Sequence, residues 1–235
     1  ARASARKSGK GVRMMQRRTV KFGDFDTASQ FVPWTLAELE LSAPEVKTNY
    51  MDIPGANGSL DLTCAVSGEP VYYDRELSAA FETSEGSRAE REKAITDMMN
   101  QLHGKRLHIV LPDDPDFYLD GRVSVSREYN DMAHARVAVS ATCTPYRLKR
   151  AETVVTATLT TKDAELVLTN ARMPVVPIVS VSAETLLTIG SGSYTLSAGQ
   201  HQLLALLLAQ GEQRIKARVT AGTGTITITY REGML

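Results

Sequence analysis

Apolar and polar positions along the chain change their period several times, and each change predicts an element. Val20 and Phe22 alternate with Thr19, Lys21 and Gly23, the two-residue period of a strand over residues 19–25. Residues 27–45 lose that regularity around Pro33, Trp34 and Pro44. They read as a long connection, with Leu36, Leu39 and Leu41 packed on the domain. Gly55-Ala56-Asn57-Gly58 is turn chemistry, because Gly and Asn tolerate positive φ, and residues 59–62 after it are strand-like. Over residues 87–102 the period becomes helical. Ile95, Met98, Met99 and Leu102 fall at i, i+3, i+4 and i+7, one apolar stripe expected to pack on a sheet. Ser87 with Glu90 makes a capping-box pattern at its start, and Gly104 stands where a left-handed C-terminal cap belongs. Strands return at 107–111 and 117–126, joined by the acidic turn Pro112-Asp113-Asp114-Pro115-Asp116. Another follows at 136–142, with Val137, Val139 and Ala141 on one face.

Residues 145–152 are polar and turn-prone, which predicts a domain boundary. Beyond it the chain is rich in Thr, Val, Leu and Ser. Short alternating runs occur at Val155-Ala157-Leu159, Leu166-Leu168, 178–181, 186–189, Tyr194-Leu196, Ile215-Ala217-Val219 and Ile226-Ile228-Tyr230. Gly, Ser, Asn or Pro punctuates them, the spacing of a β-sandwich. Residues 202–210, with five leucines and two alanines, also suit a helix, but their place in a β series predicts a strand. The expected organisation is a basic disordered segment over 1–16, a β-rich domain with one α-helix over 17–150 and a β-sandwich over 151–235.

The composition, 43% hydrophobic and 23% charged, is that of a globular protein, and no run approaches the ~18 apolar residues of a membrane span. A net charge of zero conceals an asymmetry. Arg2, Arg6, Lys7, Lys10, Arg13, Arg17, Arg18 and Lys21 precede the first acid, leaving residues 22–235 with 19 bases, 27 acids and a net of −8. A basic N-terminal stretch of this kind suits nucleic acid or an acidic partner, and being Arg- and Ser-rich it also looks like a transit peptide. A third reading fits better. Met14-Met15 sits just before the first strand-like residues, and Lys10-Gly11-Val12 can be encoded by codons resembling a bacterial ribosome-binding site. The natural start is therefore expected at Met14 or Met15, which N-terminal sequencing of the native protein checks.

Candidate chemistry is sparse. Cys64 and Cys143 make neither a disulfide framework nor a metal set and read as two small buried thiols. His103, His108, His134 and His201 lack the spacing of a zinc site and read as surface or turn residues. Asp113, Asp114, Asp116 and Asp120 are the best metal candidates, since calcium takes several oxygens from a short loop. Tyr118 or Pro115 falls where an oxygen ligand belongs, so an acidic hairpin turn is the better reading. The glycines at 55–58, 190–192 and 222–224 precede strands, not the helix N-terminus that phosphate loops use. No motif signals a nucleophile, and no catalytic, cofactor-binding or metal residue is assigned. Tyr194 and Tyr230 are the only aromatics of residues 151–235, both in strand patterns where burial is the commoner fate, which leaves no platform for a sugar ring.

One resemblance gathers these elements. Lys47-Thr48-Asn49-Tyr50, Asp52-Ile53-Pro54-Gly55 and Gly58-Ser59-Leu60-Asp61-Leu62 come first in the chain. His103-Gly104-Lys105-Arg106, Asp113-Asp114-Pro115-Asp116, Tyr118 and Gly121-Arg122-Val123 follow, and residues 224–233 close the series. In that order they resemble the distal tail protein (Dit) family of long-tailed, non-contractile bacteriophages, over most of residues 17–235. The resemblance implies a structural protein, not an enzyme: a ring-forming belt domain followed by a galectin-like β-sandwich. It also implies a homo-hexamer at the virion tail tip, made in the bacterial host cytoplasm, with DNA passing through its lumen. The partners implied are the tail tube protein on one side and a tail-associated fibre or baseplate protein on the other, with no membrane and no specific nucleic-acid binding. The alternative reading is a free-standing β-sandwich that binds carbohydrate as an adhesin.

Overall fold

In a computed structural model that describes residues 19–235, the buried apolar side chains fall into two clusters. The expectation of a disordered basic segment over 1–16 lies outside the described residues. The first cluster is built by β1 (Lys21–Phe22), β2 (Phe25–Asp26), α1 (Thr27–Gln30), β3 (Thr35–Leu41), β4 (Tyr50–Asp52), β5 (Ser59–Asp61), β6 (Arg75–Thr83), α2 (Arg88–Leu102), β7 (Arg106–Leu111), β8 (Asp114–Asn130) and β9 (Ala135–Cys143). An antiparallel sheet runs β2-β1-β7-β8-β9-β6-β3, and among the described residues β4 pairs only with β5. Ile95, Met98 and Leu102 of α2 are buried in one cluster with Leu77, Phe81, Leu119, Val123, Val137 and Val139 of the sheet. The predicted capping box is present, and Gly104 follows the helix at φ 77°. Phe31 stacks on Trp34 at 4.7 Å and meets Phe81 edge-on at 5.8 Å within the same core.

Three local readings are corrected. Residues 19–25 are not one strand: Gly23, at φ 60°, and Asp24 turn the chain so that Phe22 pairs with Phe25 and both are buried. Residues 27–45 are not an irregular connection, for they hold α1 and the edge strand β3. A bulge between Leu36 and Glu38 breaks the alternation while Leu36, Leu39 and Leu41 still pack on the core. The acidic turn is shorter than its composition suggests. Leu111 pairs with Asp114, so only Pro112 and Asp113 turn, and Asp114-Pro115-Asp116 already belong to β8.

The second cluster is a sandwich. The remaining strands are β10 (Arg147–Lys149), β11 (Thr153–Leu159), β12 (Ala164–Asn170), β13 (Ile178–Val181), β14 (Thr185–Ile189), β15 (Gly192–Leu196), β16 (Gly199–Gln202), β17 (Gly211–Val219), β18 (Gly224–Tyr230) and β19 (Gly233–Met234). Four-stranded sheets β11-β18-β13-β16 and β12-β17-β14-β15 face each other. Val179, Ile226 and Ile228 of one sheet share a core with Leu168, Leu187 and Ile215 of the other. The strand expected over 202–210 is absent. A 3-10 turn, Leu204–Leu206, buries Leu206 and leaves Leu204 exposed, and Leu208 then bridges to Val175. The turn-prone boundary also holds a strand: β10 pairs with β8 of the first sheet and with β19. Among the described residues no helix is long and apolar enough to cross a membrane.

Candidate assembly surface

Between β3 and β6 the chain leaves the first core as an arm, residues 42–74. Its stem is zipped by Lys47 N donating to Val71 O at 2.8 Å and Tyr73 N donating to Glu45 O at 2.8 Å. At its end lies the β4–β5 hairpin, with Tyr50 opposite Asp61 and Asp52 opposite Ser59. Gly55 and Gly58, at φ 85° and 75°, close the loop where an L side chain would be strained. Tyr50 (60% exposed), Met51, Ile53, Leu60, Val66, Val71 and Tyr73 are all open to solvent. An isolated two-stranded hairpin is marginal in water, and grouped exposed apolar side chains mark interaction surfaces. The arm has the composition of something to be covered.

Its root is firm. Arg75, buried at the start of β6, donates from Nε to Ser42 O at 2.8 Å and from Nη1 to Pro145 O at 3.4 Å. Burial, with the neighbouring charge of Arg147, pushes its guanidinium below the usual range. Tyr72 meets Tyr146 edge-on at 5.8 Å and accepts a hydrogen bond at its hydroxyl from Arg172 Nη2 at 3.0 Å. An apolar cleft of about 320 Å³ opens there, lined by Pro70, Tyr72, Pro145, Tyr146, Met173 and Leu207.

The sheet face turned away from α2 is polar. Arg136 of β9 pairs with Glu38, Glu82 and Glu128 at 2.7, 2.6 and 2.5 Å. Hydrogen bonds to Glu38 and then Glu82 hold its guanidinium above the ordinary range against desolvation.

The residues weighed as candidate ligands do not converge. Asp114 pairs with Arg147 at 2.8 Å, while Asp120 binds Arg106 in two-pronged fashion. His103 Nδ1 accepts from Val125 N at 3.0 Å, His108 stacks on Tyr118 at 4.2 Å, and His201 Nε2 lies 2.7 Å from Ser197 O. Tyr230 is buried and donates to Thr169 O at 2.6 Å, and Tyr194 packs half-buried against the same core. The reading of two buried thiols is corrected for one of them. Cys143 is buried, but Cys64 is exposed because the arm has no core to put it in. Sequence reasoning found the arm's turn and strand and missed its apolar exposure, since alternation looks the same whichever molecule supplies the cover.

No family model matches the chain, and no curated protein matches it. Among solved structures it is similar to the crystal structure of the SPP1 Dit (gp 19.1) protein, described as a paradigm of the hub adsorption apparatus in Gram-positive infecting phages. The two share 16% identity with a TM-score of 0.66, over 94% of this chain and 100% of that one. At that identity the likeness is one of fold: this chain has the mainly β, helix-bearing architecture of a phage hub protein.

Proposed function

We propose that this chain is a structural, non-enzymatic hub subunit of the tail tip of a long non-contractile bacteriophage. Six copies form a ring between the tail tube protein and a tail-associated fibre or baseplate protein. DNA passes through the lumen, and the sandwich, galectin-like in this reading, lies outside the ring. The observation that carries the proposal is the arm of residues 42–74, whose apolar side chains find no cover among the described residues. A neighbouring subunit covers them in a ring. The fold likeness to a solved hub protein and the family words along residues 47–127 support the same reading. The test is mass in solution by light scattering, followed by electron microscopy. A mass of six subunits and visible rings are expected, with assembly lost when Tyr50 and Ile53 are both changed to Ser. A chain that remains monomeric at every concentration, with and without those changes, refutes the proposal.

A further inference from the structure

The polar face of the first sheet carries a charge imbalance at its β3 end. Among the described residues β3 pairs with β6 on one side only, and together they present Glu38, Glu40, Glu76 and Glu82. Arg136 answers Glu38 and Glu82 but is shared with Glu128. Glu40 lies opposite Ser78, diagonal to Glu76, and neither glutamate bonds to a base among the described residues. Like charges so placed repel, and an edge strand with free N–H and C=O groups is a template for another chain. The chain enters this sheet near the opposite end, where Lys21 opens β1 beside the terminal strand β2. Just before it stand Arg17 and Arg18, and no acid occurs before Asp24. Five strand spacings, about 24 Å, separate β1 from β3 within one subunit. In a head-to-tail ring those ends become neighbours.

We propose that the acidic β3 edge of each subunit receives the basic pair Arg17 and Arg18 of a second copy. The inference rests on the ring reading and names which edges meet. Because the contact is made by exposed charges, it weakens as salt rises. The arm supplies apolar cover; the charges fix which end faces which.

The full-length chain tests this by light scattering at low and physiological salt. Glu40→Lys with Glu76→Lys, or Arg17→Glu with Arg18→Glu, is expected to weaken assembly roughly tenfold, and all four changes together to restore it. Arg17→Cys and Glu40→Cys, introduced with Cys64→Ser, are expected to form a disulfide between chains under mild oxidation. This trapping does not depend on the charge-reversed variants folding. If wild-type chains assemble but charge reversal leaves assembly unchanged, the inference fails while the ring stands. A disulfide formed only within one chain overturns it too, since the basic pair then covers its own edge. If wild-type chains never assemble, the ring reading falls and this inference falls with it.

Discussion

Arg91, the first buried residue of α2, donates from Nε to Asn130 Oδ1 at 3.2 Å, so a helix residue holds the turn between β8 and β9. Its Nη1 reaches Ala133 O at 3.2 Å and its Nη2 reaches Asp131 O at 2.8 Å. Asp131 closes the turn from within, accepting from Ala133 N at 2.8 Å and His134 N at 2.7 Å. Arg91 is 3% exposed, and its charge is met by carbonyl dipoles. Arg91→Ala removes these bonds and the buried guanidinium that anchors the turn to α2, and is expected to cost about 1–3 kcal/mol. Hydrogen exchange checks the cause: protection should fall first at residues 128–136.

Met98 faces the sheet at 1% exposure, whereas Arg88 at the start of α2 is exposed. Met98→Asp introduces an unpaired charge into the core and is expected to cost about 3 kcal/mol or more, Arg88→Asp little. Urea melts of the two variants compare them directly. Equal losses mean that the helix is turned the wrong way.

Gly121 is opposite Cys143 in the β8–β9 pair, and a Cβ at Gly121 meets Cys143 Sγ at 2.5 Å. Here glycine is needed for closeness rather than for backbone freedom. Burial pushes the Cys143 thiol up to about 12, so it packs as a neutral group. Gly121→Ala is expected to destabilise by about 1–3 kcal/mol, and adding Cys143→Ala to recover part of that loss. A double-mutant cycle measured by thermal unfolding shows the coupling; strict additivity removes the clash as the cause.

Glu232 provides the pH prediction. Burial opposes its charge, but bonds from Lys149 at 2.8 Å and Thr153 at 2.5 Å outweigh that, so its carboxyl lies below the ordinary glutamate value. A depressed folded value means that its contribution is complete above the unfolded value and is lost as pH falls through the folded one. Melting temperature measured from neutral to acid should therefore fall less steeply for Glu232→Gln over that window than for the wild type. Parallel curves would show that the carboxylate adds nothing.

In the proposed ring, DNA passes through the lumen without being held. Phosphate affinity grows with each displaced counterion, and residues 22–235 carry a net of −8. Protein beginning at Met15 is expected to bind duplex DNA only weakly at physiological salt. Any retention by the full chain should vanish with the truncation. Salt-sensitive binding that survives it turns the reading toward a nucleic-acid-binding protein.

What the sequence made legible was local. α2 was bounded by its own cap residues and stripe, and strands such as Ala135–Cys143 and Gly224–Tyr230 by strict alternation. Elements shaped by distant partners were not. The bulge in β3 hid an edge strand inside what looked like a loop, and Leu204–Leu206 turned because Leu206 and Leu208 both had a core to reach. Arg91 looked like an ordinary helix charge, because the carbonyls that bind it come about forty residues later. Nothing local distinguished buried Cys143 from exposed Cys64. The arm was the hardest case, since its turn could be read but Tyr50 and Ile53 find no cover among the described residues.

β10 has a mechanical consequence. The chain passes between the two cores twice, out through Lys149–Thr153 and back through Tyr230–Gly233, and the crossings are bound side by side. Arg231 Nη1 donates to the carbonyls of Lys149 and Arg150 at 2.6 and 2.7 Å, and Lys149 N donates to Glu232 O at 2.9 Å. A pull on the sandwich is thus shared by two strands riveted together, not borne by one tether. Torque is resisted as well, because twisting one crossing drags the other. In the tail-tip role proposed above, load reaching the sandwich passes to the first core through both crossings at once.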